Sequence, residues 1–280
     1  MPLSSQQIEK AAQNLFDAEK SKKKIGLLSI EYENIDMEDA YKIQDSLVQM
    51  KIQSGLTIQG WKIGLTSKAM QDALKIDIPD SGILFDNMFF KSGDSIPTDR
   101  FIETRIEAEI AFCVSKTLQG NVSREDVIAA TEYVFPSLEI LDTRIDRKDS
   151  STGKLRTVYD TISDNAANAG IVSGIQKNKL EQFDLRYVGS IVYRNGTVEE
   201  TGLGAGVLDD PIAGIVWLVE RLAKYNQKIS PGEIILSGSF IRPIEAKKGD
   251  KFYADFGTVS YTHLRAHETL RYLVCRLLLE

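Results

Sequence analysis

Hydrophobic side chains recur every three to four residues in the first quarter of the chain, a spacing that predicts α-helices. Ser4 or Ser5 can cap a helix that extends through Lys20, and Asp36 can cap another that ends at Ser54. A third, short helix is predicted over 67–74. The apolar positions of the second helix form one stripe, made of Ala40, Ile43, Leu47 and Met50.

From about residue 80 the pattern changes to short apolar runs separated by Gly, Pro, Asp and Asn, which predicts strands with helices between them. Asp210 and Pro211 open one of these helices. Because the strands do not alternate regularly with helices, a doubly wound parallel sheet is disfavoured. We predict an α+β fold, with a helical N-terminal region at 1–75 and a β-rich body at 76–257. The clearest strands are predicted at 105–114, 186–193 and 233–240.

The last segment, 258–280, differs in texture from the rest and follows Gly257 without a recognisable turn. It resembles the peptide that contaminating sequencing-adapter DNA encodes, so we expect it to be non-native. Both histidines of the chain, His263 and His267, lie in it. The alternative is an amphipathic C-terminal helix, with Leu270, Leu273, Val274 and Leu277 on one face.

Composition narrows the class of protein. Apolar residues make up 42% and charged residues 26%, as in a globular protein with a substantial core. The net charge of −6 and a pI near 5.2 argue against electrostatic binding of nucleic acid. No apolar run approaches the roughly 20 residues of a membrane span or forms a signal peptide. Since the two cysteines, Cys113 and Cys275, make no disulfide framework, we expect a cytoplasmic location.

Two carboxylates share one face of the predicted strand at 105–114. Side chains alternate along a strand, so Glu107 and Glu109 point to the same side and repel each other unless a cation lies between them. Oxygen ligands favour magnesium, manganese or calcium over zinc. A solvated acidic face on a half-exposed strand is the alternative.

Glu139 and Lys62 also stand in apolar surroundings. Glu139 lies within the run at 135–142, where burial is costly unless the carboxylate is paired or binds a metal, so it could be a third ligand. Lys62 lies between Trp61 and Ile63, where a partly desolvated ammonium could act as an acid or bind an anion. A surface glutamate and a snorkelling lysine are the alternatives. Small polar segments that could line a pocket contain Ser163, Asn165 and Ser239.

Six motifs together resemble the fumarylacetoacetate-hydrolase superfamily, and within it the hydratase/decarboxylase branch of aromatic meta-cleavage pathways. The resemblance extends from near the N-terminus to Gly257 and implies a mixed-sheet body. The motifs are GWKIGLTSKAM at 60–70, RIEAEIAF at 105–112, PSLEILDTRI at 136–145, TVYDTISDNAANAG at 157–170, YRNGTVEETG at 193–202 and ILSGSFIRPIEAKKGD at 235–250.

The resemblance implies a magnesium or manganese site that chelates a 2-oxo acid, in a homo-oligomeric enzyme. Relatives tend to have Asp at the position of Asn87, so Asp86 becomes the candidate for proton transfer. The relatives' final strand is replaced here by the suspect tail, which predicts a sheet that lacks a strand. The implied metal ligands are Glu107, Glu109 and Glu139; the implied catalytic residues are Lys62 and Asp86; the implied substrate contacts are Ser163, Asn165 and Ser239.

The resemblance further implies a dicarboxylate substrate, because the segment at 146–159 is similar to that of relatives that hydrate 2-oxohept-4-ene-1,7-dioate to 4-hydroxy-2-oxoheptanedioate in homoprotocatechuate catabolism. Hydration of 2-hydroxypenta-2,4-dienoate and decarboxylation of 4-oxalocrotonate stay open, as does a non-catalytic or unstable chain. Hydrolysis of a carbon–carbon bond is disfavoured, because the hydrolases of this superfamily resemble one another in a His–Glu pair that activates water. Both histidines of this chain lie in the suspect tail, so such a pair has no native histidine. Five nearby cations could bind the second carboxylate: Arg144, Arg147, Lys148, Lys154 and Arg156. The alternative is that they form a solvated basic loop.

Overall fold

A computed structural model describes residues 2–74, 76, 78–257 and 274–279. The helices within these ranges are α1 (Ser5–Ser21), α2 (Leu28–Glu31), α3 (Met37–Gln53), α4 (Lys68–Leu74), α5 (Arg124–Ala130), α6 (Val158–Ser163) and α7 (Pro211–Ala223). The strands are β1 (Ile58–Gly64), β2 (Asp80–Phe85), β3 (Phe89–Lys91), β4 (Ser95–Ile96), β5 (Arg105–Val114), β6 (Thr131–Leu141), β7 (Asn168–Ser173), β8 (Gly189–Arg194), β9 (Thr197–Leu203), β10 (Ile234–Ser239), β11 (Ile244–Glu245), β12 (Lys251–Asp255) and β13 (Val274–Leu279).

The helix starts predicted from the sequence are confirmed by their caps. Ser4 and Gln7 form a reciprocal capping box at α1. The Asp36 side chain caps α3, and Asp210 caps α7, which begins with proline. None of the helices in the described ranges is both long and apolar enough to cross a membrane.

The strands form two mixed sheets, which confirms the predicted α+β class. The larger sheet has the order β2-β1-β10-β5-β6-β7-β3, with β11 added beside β5; the smaller has the order β4-β13-β12-β8-β9. In the larger sheet β1–β10 and β3–β7 are parallel and the other pairs antiparallel. The strand predicted at 186–193 begins only at Gly189, because residues 185–187 form a 3-10 turn.

The main apolar core lies against one face of β5 and β6. On this face Ile106, Ala108, Leu138 and Ile140 are fully buried. Because side chains alternate along a strand, the opposite face of the same two strands is free to carry polar groups. The core therefore fixes the strands that hold the acidic residues.

A second apolar core joins the N-terminal helices to the body. It contains Leu15 of α1 and Ile43 and Leu47 of α3, together with Ile145 from the segment after β6. The predicted helical region thus packs on the β-rich body, as expected. The boundary at residue 75 stays a prediction, although strand pairing places β1 in the larger sheet of the body.

The described part of the C-terminal segment is a strand. Residues 274–279 pair with β12 and β4, so the prediction that the sheet lacks a strand is wrong. The helical alternative is wrong for Val274 and Leu277, because this backbone is extended. Residues 258–273 and 280, including His263 and His267, lie outside the described residues. The non-native origin of the segment stays a prediction.

Candidate active site

Three carboxylates meet where β5 and β6 run side by side. The antiparallel register sets Glu107 opposite Glu139, and Glu109 opposite Ser137. One carboxylate oxygen from each of the three glutamates lies within 4.8 Å of the others. The fold thus brings together the three acidic residues singled out in the sequence.

The surroundings of this cluster disfavour three negative charges. Glu109 and Glu139 are buried, and Glu107 is partly exposed. Burial, followed by the negative charge of Glu139, raises the pKa of Glu107 to about 8. The same two causes raise the pKa of Glu109. Glu109 Oε1 and both carboxylate oxygens of Glu139 are buried without a hydrogen-bond partner, which is costly unless a cation binds them.

The donor set fits a hard divalent cation. All the candidate ligand atoms are carboxylate oxygens, which Mg²⁺, Mn²⁺ and Ca²⁺ prefer, whereas the nitrogen and sulfur donors typical of zinc sites are absent from the cluster. Three ligands leave further coordination positions for water or a bound molecule. The cluster can therefore hold a metal that is open to a substrate.

Lys62 lies beside the acidic cluster. Its side chain is buried, and Nζ is 3.5 Å from Glu139 Oε1. Burial by itself lowers the pKa of Lys62, but the charges of Glu139 and Asp80 outweigh it and raise that pKa. The lysine is therefore an ammonium group, which partly offsets the charge of the carboxylates.

Asp80, which the sequence analysis did not select, is a fourth buried acid at the site. It begins β2 and pairs with Gly64 of β1 in register. Burial raises the pKa of Asp80, and the positive charge of Lys62 opposes the rise. A Cβ on Gly64 would overlap Asp80 Oδ1 and lie 3.0 Å from Lys62 Nζ, so glycine allows the two charged groups to approach. The available signal was an aspartate three residues before the apolar run 83–85.

Gly238 holds Glu109 in place from the neighbouring strand β10. Its backbone N–H donates to Glu109 Oε2 at 2.9 Å. The backbone there has a φ of +121°, and a Cβ would overlap the side chain of Thr66. Only glycine meets both conditions at low cost. The small polar segment at 237–239 thus holds one of the clustered carboxylates through its backbone.

A cavity of about 570 Å³ opens in front of these groups. Its lining joins residues from β1, β2, β5 and β10 with the segment between β6 and α6. Such a volume suits a small metabolite. Among the residues that line it are Lys62, Thr66, Asp80, Arg105, Glu107, Glu109, Leu141, Arg147, Arg156 and Ser239.

The three predicted substrate contacts lie in different places. Ser239 lines the cavity, although its hydroxyl donates to the Ile241 carbonyl at 2.8 Å. The Asn165 side chain does not reach the cavity, because its amide accepts from Ile83 N–H and donates to the Ile83 carbonyl. Ser163 is buried at the end of α6 behind the lining. A direct substrate contact of Ser163 or Asn165 is therefore not supported by this geometry.

Asp86 is not brought to the site. Its side chain is exposed at the far end of β2, where the carboxylate accepts from the backbone N–H and the hydroxyl of Thr57. The proton-transfer role expected for Asp86 is therefore not supported by its position, whereas Asp80, which begins the same strand, lies near Lys62.

Two of the five candidate cations reach the cavity. Arg147 and Arg156 line it. Arg144 is buried in an ion pair with Asp164, and Lys154 donates to the Ser29 carbonyl. Arg105 and Arg242 also line the cavity, and the sequence analysis had not named either of them as a candidate.

We expect the metal-free protein to lose stability as the pH rises from about 4.5 to about 8, and Mg²⁺ to restore it. The folded protein holds protons on Glu107 and Glu109 that the unfolded chain has already released, so the free energy of unfolding falls across this window. Mg²⁺ binds the ionised carboxylates of the folded protein, so its stabilising effect grows with pH. Melting temperatures with and without millimolar Mg²⁺ would measure both trends.

Two variants make this experiment specific. Glu107→Gln should flatten the pH dependence, whereas Glu132→Gln, an exposed glutamate on β6, should leave it unchanged. If Mg²⁺ fails to raise the melting temperature at every pH tested, the metal site is contradicted.

Several characterised proteins are similar to this chain along most of its length. It is 50% identical over 249 residues to 2-oxo-hept-4-ene-1,7-dioate hydratase of Escherichia coli. The aligned region covers 89% of this chain and 93% of the relative. It is 37% identical over 248 residues to 2-hydroxyhexa-2,4-dienoate hydratase of Comamonas testosteroni, covering 88% and 92%. No protein-family model matches the chain.

Solved structures extend the similarity to the fold. The 4-oxalocrotonate decarboxylase of Pseudomonas putida G7, solved with magnesium and adipate, has 27% identity and a TM-score of 0.87 over 99% of both chains. A fumarylacetoacetate hydrolase family protein of Yersinia pestis CO92 has 13% identity and a TM-score of 0.51 over 78% of this chain and 91% of its own. The latter similarity concerns the fold alone.

Proposed function

Because this chain belongs to the hydratase/decarboxylase branch of the fumarylacetoacetate hydrolase superfamily, we propose that it is a divalent-metal-dependent hydratase acting on 2-oxohept-4-ene-1,7-dioate. The observation that carries the proposal is the cluster of Glu107, Glu109 and Glu139 with unsatisfied oxygens, facing a cavity beside Lys62 and Asp80. The identity of 50% to a hydratase of that substrate supports the choice of substrate.

The reaction adds water to give 4-hydroxy-2-oxoheptanedioate. The alkene at C4 is not conjugated with the 2-oxo group, so a proton must first leave C3 and another must reach C5. Water can then add at C4 of the conjugated alkene, and C3 receives a proton. The site therefore needs a base, an acid and a group that stabilises negative charge on the 2-oxo oxygen.

A bound Mg²⁺ or Mn²⁺ would supply Lewis-acid stabilisation of that negative charge. Glu107, Glu109 and Glu139 would hold the ion. We assign Asp80 as the base at C3, since burial raises the pKa of its carboxylate towards the range in which a base is effective. Lys62 stabilises the ionised form of Asp80 and orients the 2-oxo acid.

Decarboxylation is the second candidate. A 4-oxalocrotonate decarboxylase of Pseudomonas putida is 30% identical over 262 residues, and the similar decarboxylase structure was solved with magnesium and adipate. Both reactions use an enolate, so the carboxylate cluster does not separate them. The higher identity to hydratases favours hydration.

Product analysis tests the proposal. Incubation of the protein with 2-oxohept-4-ene-1,7-dioate and Mg²⁺ should yield a product heavier by one water, with little product after chelation of the metal. Loss of carbon dioxide when 4-oxalocrotonate is the substrate, with no hydration of the seven-carbon acid, would move the assignment to the decarboxylase. A mass unchanged in both conditions would contradict a catalytic role, provided that circular dichroism shows folded protein.

Three expectations from the sequence stay predictions: a cytoplasmic location, a homo-oligomeric state and a place in homoprotocatechuate catabolism. Ser239 keeps its proposed role as a substrate contact, because it alone of the three predicted contacts lines the cavity.

A further inference from the structure

Three arginines line the cavity in front of the acidic cluster. Arg105 begins β5, whereas Arg147 and Arg156 come from the segment between β6 and α6, and all three line the cavity. Burial, followed by the positive charge of Arg147, lowers the pKa of Arg105 and of Arg156. Arg147 therefore lies near both of the other arginines, and the Arg156 backbone N–H donates to the Arg147 carbonyl at 3.0 Å.

The hydrogen bonds of the three arginines leave donor groups unused. Arg147 Nε donates to Glu103 Oε1 at 2.6 Å, and the same carboxylate also accepts from Lys24 at 3.0 Å. Arg156 donates to a neutral threonine hydroxyl at 2.8 Å. Arg105 Nε is buried without a hydrogen-bond partner. A guanidinium with a buried, unused donor nitrogen is typical of a site for an anion.

The position of Arg105 relative to the acidic cluster sets the length of the molecule that can bind both. Arg105 precedes Glu107 by two residues on the same face of β5, a step of about 7 Å along a strand. On β6, Leu141 lies opposite Arg105 just as Glu139 lies opposite Glu107. An extended seven-carbon chain spans roughly 7–8 Å between its two carboxyl carbons by standard bond lengths.

We propose that Arg105, Arg147 and Arg156 bind the carboxylate at the far end of the substrate and thereby select dicarboxylates over monocarboxylates. This inference rests on the proposed hydratase function. Leu141 and the exposed Leu155 also line the cavity and offer apolar contacts to the carbons between the two carboxylates. The structure thus narrows the five cations considered from the sequence to two and adds Arg105.

The test compares two substrates that differ only in the far carboxylate, 2-oxohept-4-ene-1,7-dioate and 2-oxohex-4-enoate. Wild-type protein should prefer the dicarboxylate in kcat/KM. Arg105→Gln and Arg147→Gln should each lower kcat/KM for the dicarboxylate by about 10- to 100-fold, mainly through KM, because this contact is equally strong before and during reaction. Turnover of the monocarboxylate should change by less than about threefold.

Arg242→Gln is the matched control. Arg242 lines the same cavity but is exposed and donates to Glu200 at 2.6 Å, so this variant should keep the wild-type preference. An equal loss for both substrates in the Arg105 and Arg147 variants, or the same selective loss in Arg242→Gln, would overturn the assignment. Hydration of neither substrate by wild-type protein would instead refute the proposed function.

A measurement on wild-type protein avoids any effect of the substitutions on folding. The saturated analogue 2-oxoheptanedioate should inhibit at a concentration at least about tenfold lower than 2-oxohexanoate, which lacks the far carboxylate. Equal inhibition by the two analogues, with hydration intact, would refute the arginine site and leave the hydratase proposal standing.

Discussion

Replacing Glu109 by glutamine is expected to lower metal-dependent hydration about a thousandfold while leaving the fold intact. Loss of a metal ligand removes Lewis-acid stabilisation worth several kcal/mol, and each 1.4 kcal/mol corresponds to a factor of ten in rate. Glutamine keeps an oxygen that can accept the Gly238 N–H bond, so the local geometry should persist. Steady-state rates over a range of Mg²⁺ concentrations would measure the effect, and Glu107→Gln should behave alike.

Stability measurements separate a lost metal site from a damaged fold. Without metal, Glu109→Gln should melt at or above the wild-type temperature, because the substitution removes a buried acid from a repelling cluster. The rise on adding Mg²⁺ should shrink. Glu132→Gln, on the exposed part of β6, serves as the control with wild-type rates. Wild-type turnover in either ligand variant would rule out the proposed metal ligands.

Replacing Asp80 by asparagine is expected to lower kcat about 10²- to 10⁴-fold, the usual contribution of a general base. Asparagine fills the same space beside Gly64 but cannot accept a proton from C3. Lys62→Met should have an effect of similar size, since Asp80 would lose the cation that stabilises its ionised form. The two groups act together, so the double variant should be little worse than either single one.

Proton exchange provides a direct readout of this step. In deuterated water with Mg²⁺, wild-type protein should exchange the C3 protons of 2-oxoheptanedioate, and Asp80→Asn should not, as seen by NMR. Mg²⁺ should still raise the melting temperature of this variant, because the three glutamates are unchanged. Lys68→Gln, an exposed lysine on α4, is the control. Wild-type exchange in Asp80→Asn would assign the base to another residue.

The acidic cluster destabilises the metal-free protein but suits it to bind a cation. Buried carboxylates with raised pKa values cost the metal-free protein stability at neutral pH. The same burial keeps the three carboxylates close together and largely out of contact with water. Their attraction for a cation is therefore only weakly screened. The apolar opposite face of β5 and β6 holds the two strands in register against this repulsion.

Local rules along the chain predicted a good part of this arrangement. The caps at Ser4, Asp36 and Asp210 mark the helix starts because they depend only on neighbouring residues. Glu107 and Glu109 share a face because side chains alternate along any strand. The motifs that resemble the family implied that Glu139 and Lys62 belong to the same site as this pair.

The predicted roles of Asn165 and Asp86 are not supported, because each side chain has a different partner from the one that its neighbouring residues suggested. Asn165 lies in a small polar segment, which suggested a substrate contact. The left-handed turn at 165–167 instead directs its amide to the backbone of Ile83. Asp86 and Asp80 lie at opposite ends of the same strand. Only the pairing of β2 with β1 shows that Asp80 lies beside Lys62.

The sequence by itself therefore determined the main helix starts, the α+β class, the family and the acidic pair on β5, because these depend on local periodicity and on matching motifs. The tertiary structure alone decided that Glu139 lies opposite Glu107, that Asp80 joins Lys62, and that Arg105 meets Arg147 and Arg156 at the cavity. These contacts join segments far apart in the chain. They follow from strand register and core packing, which no single segment of the sequence specifies.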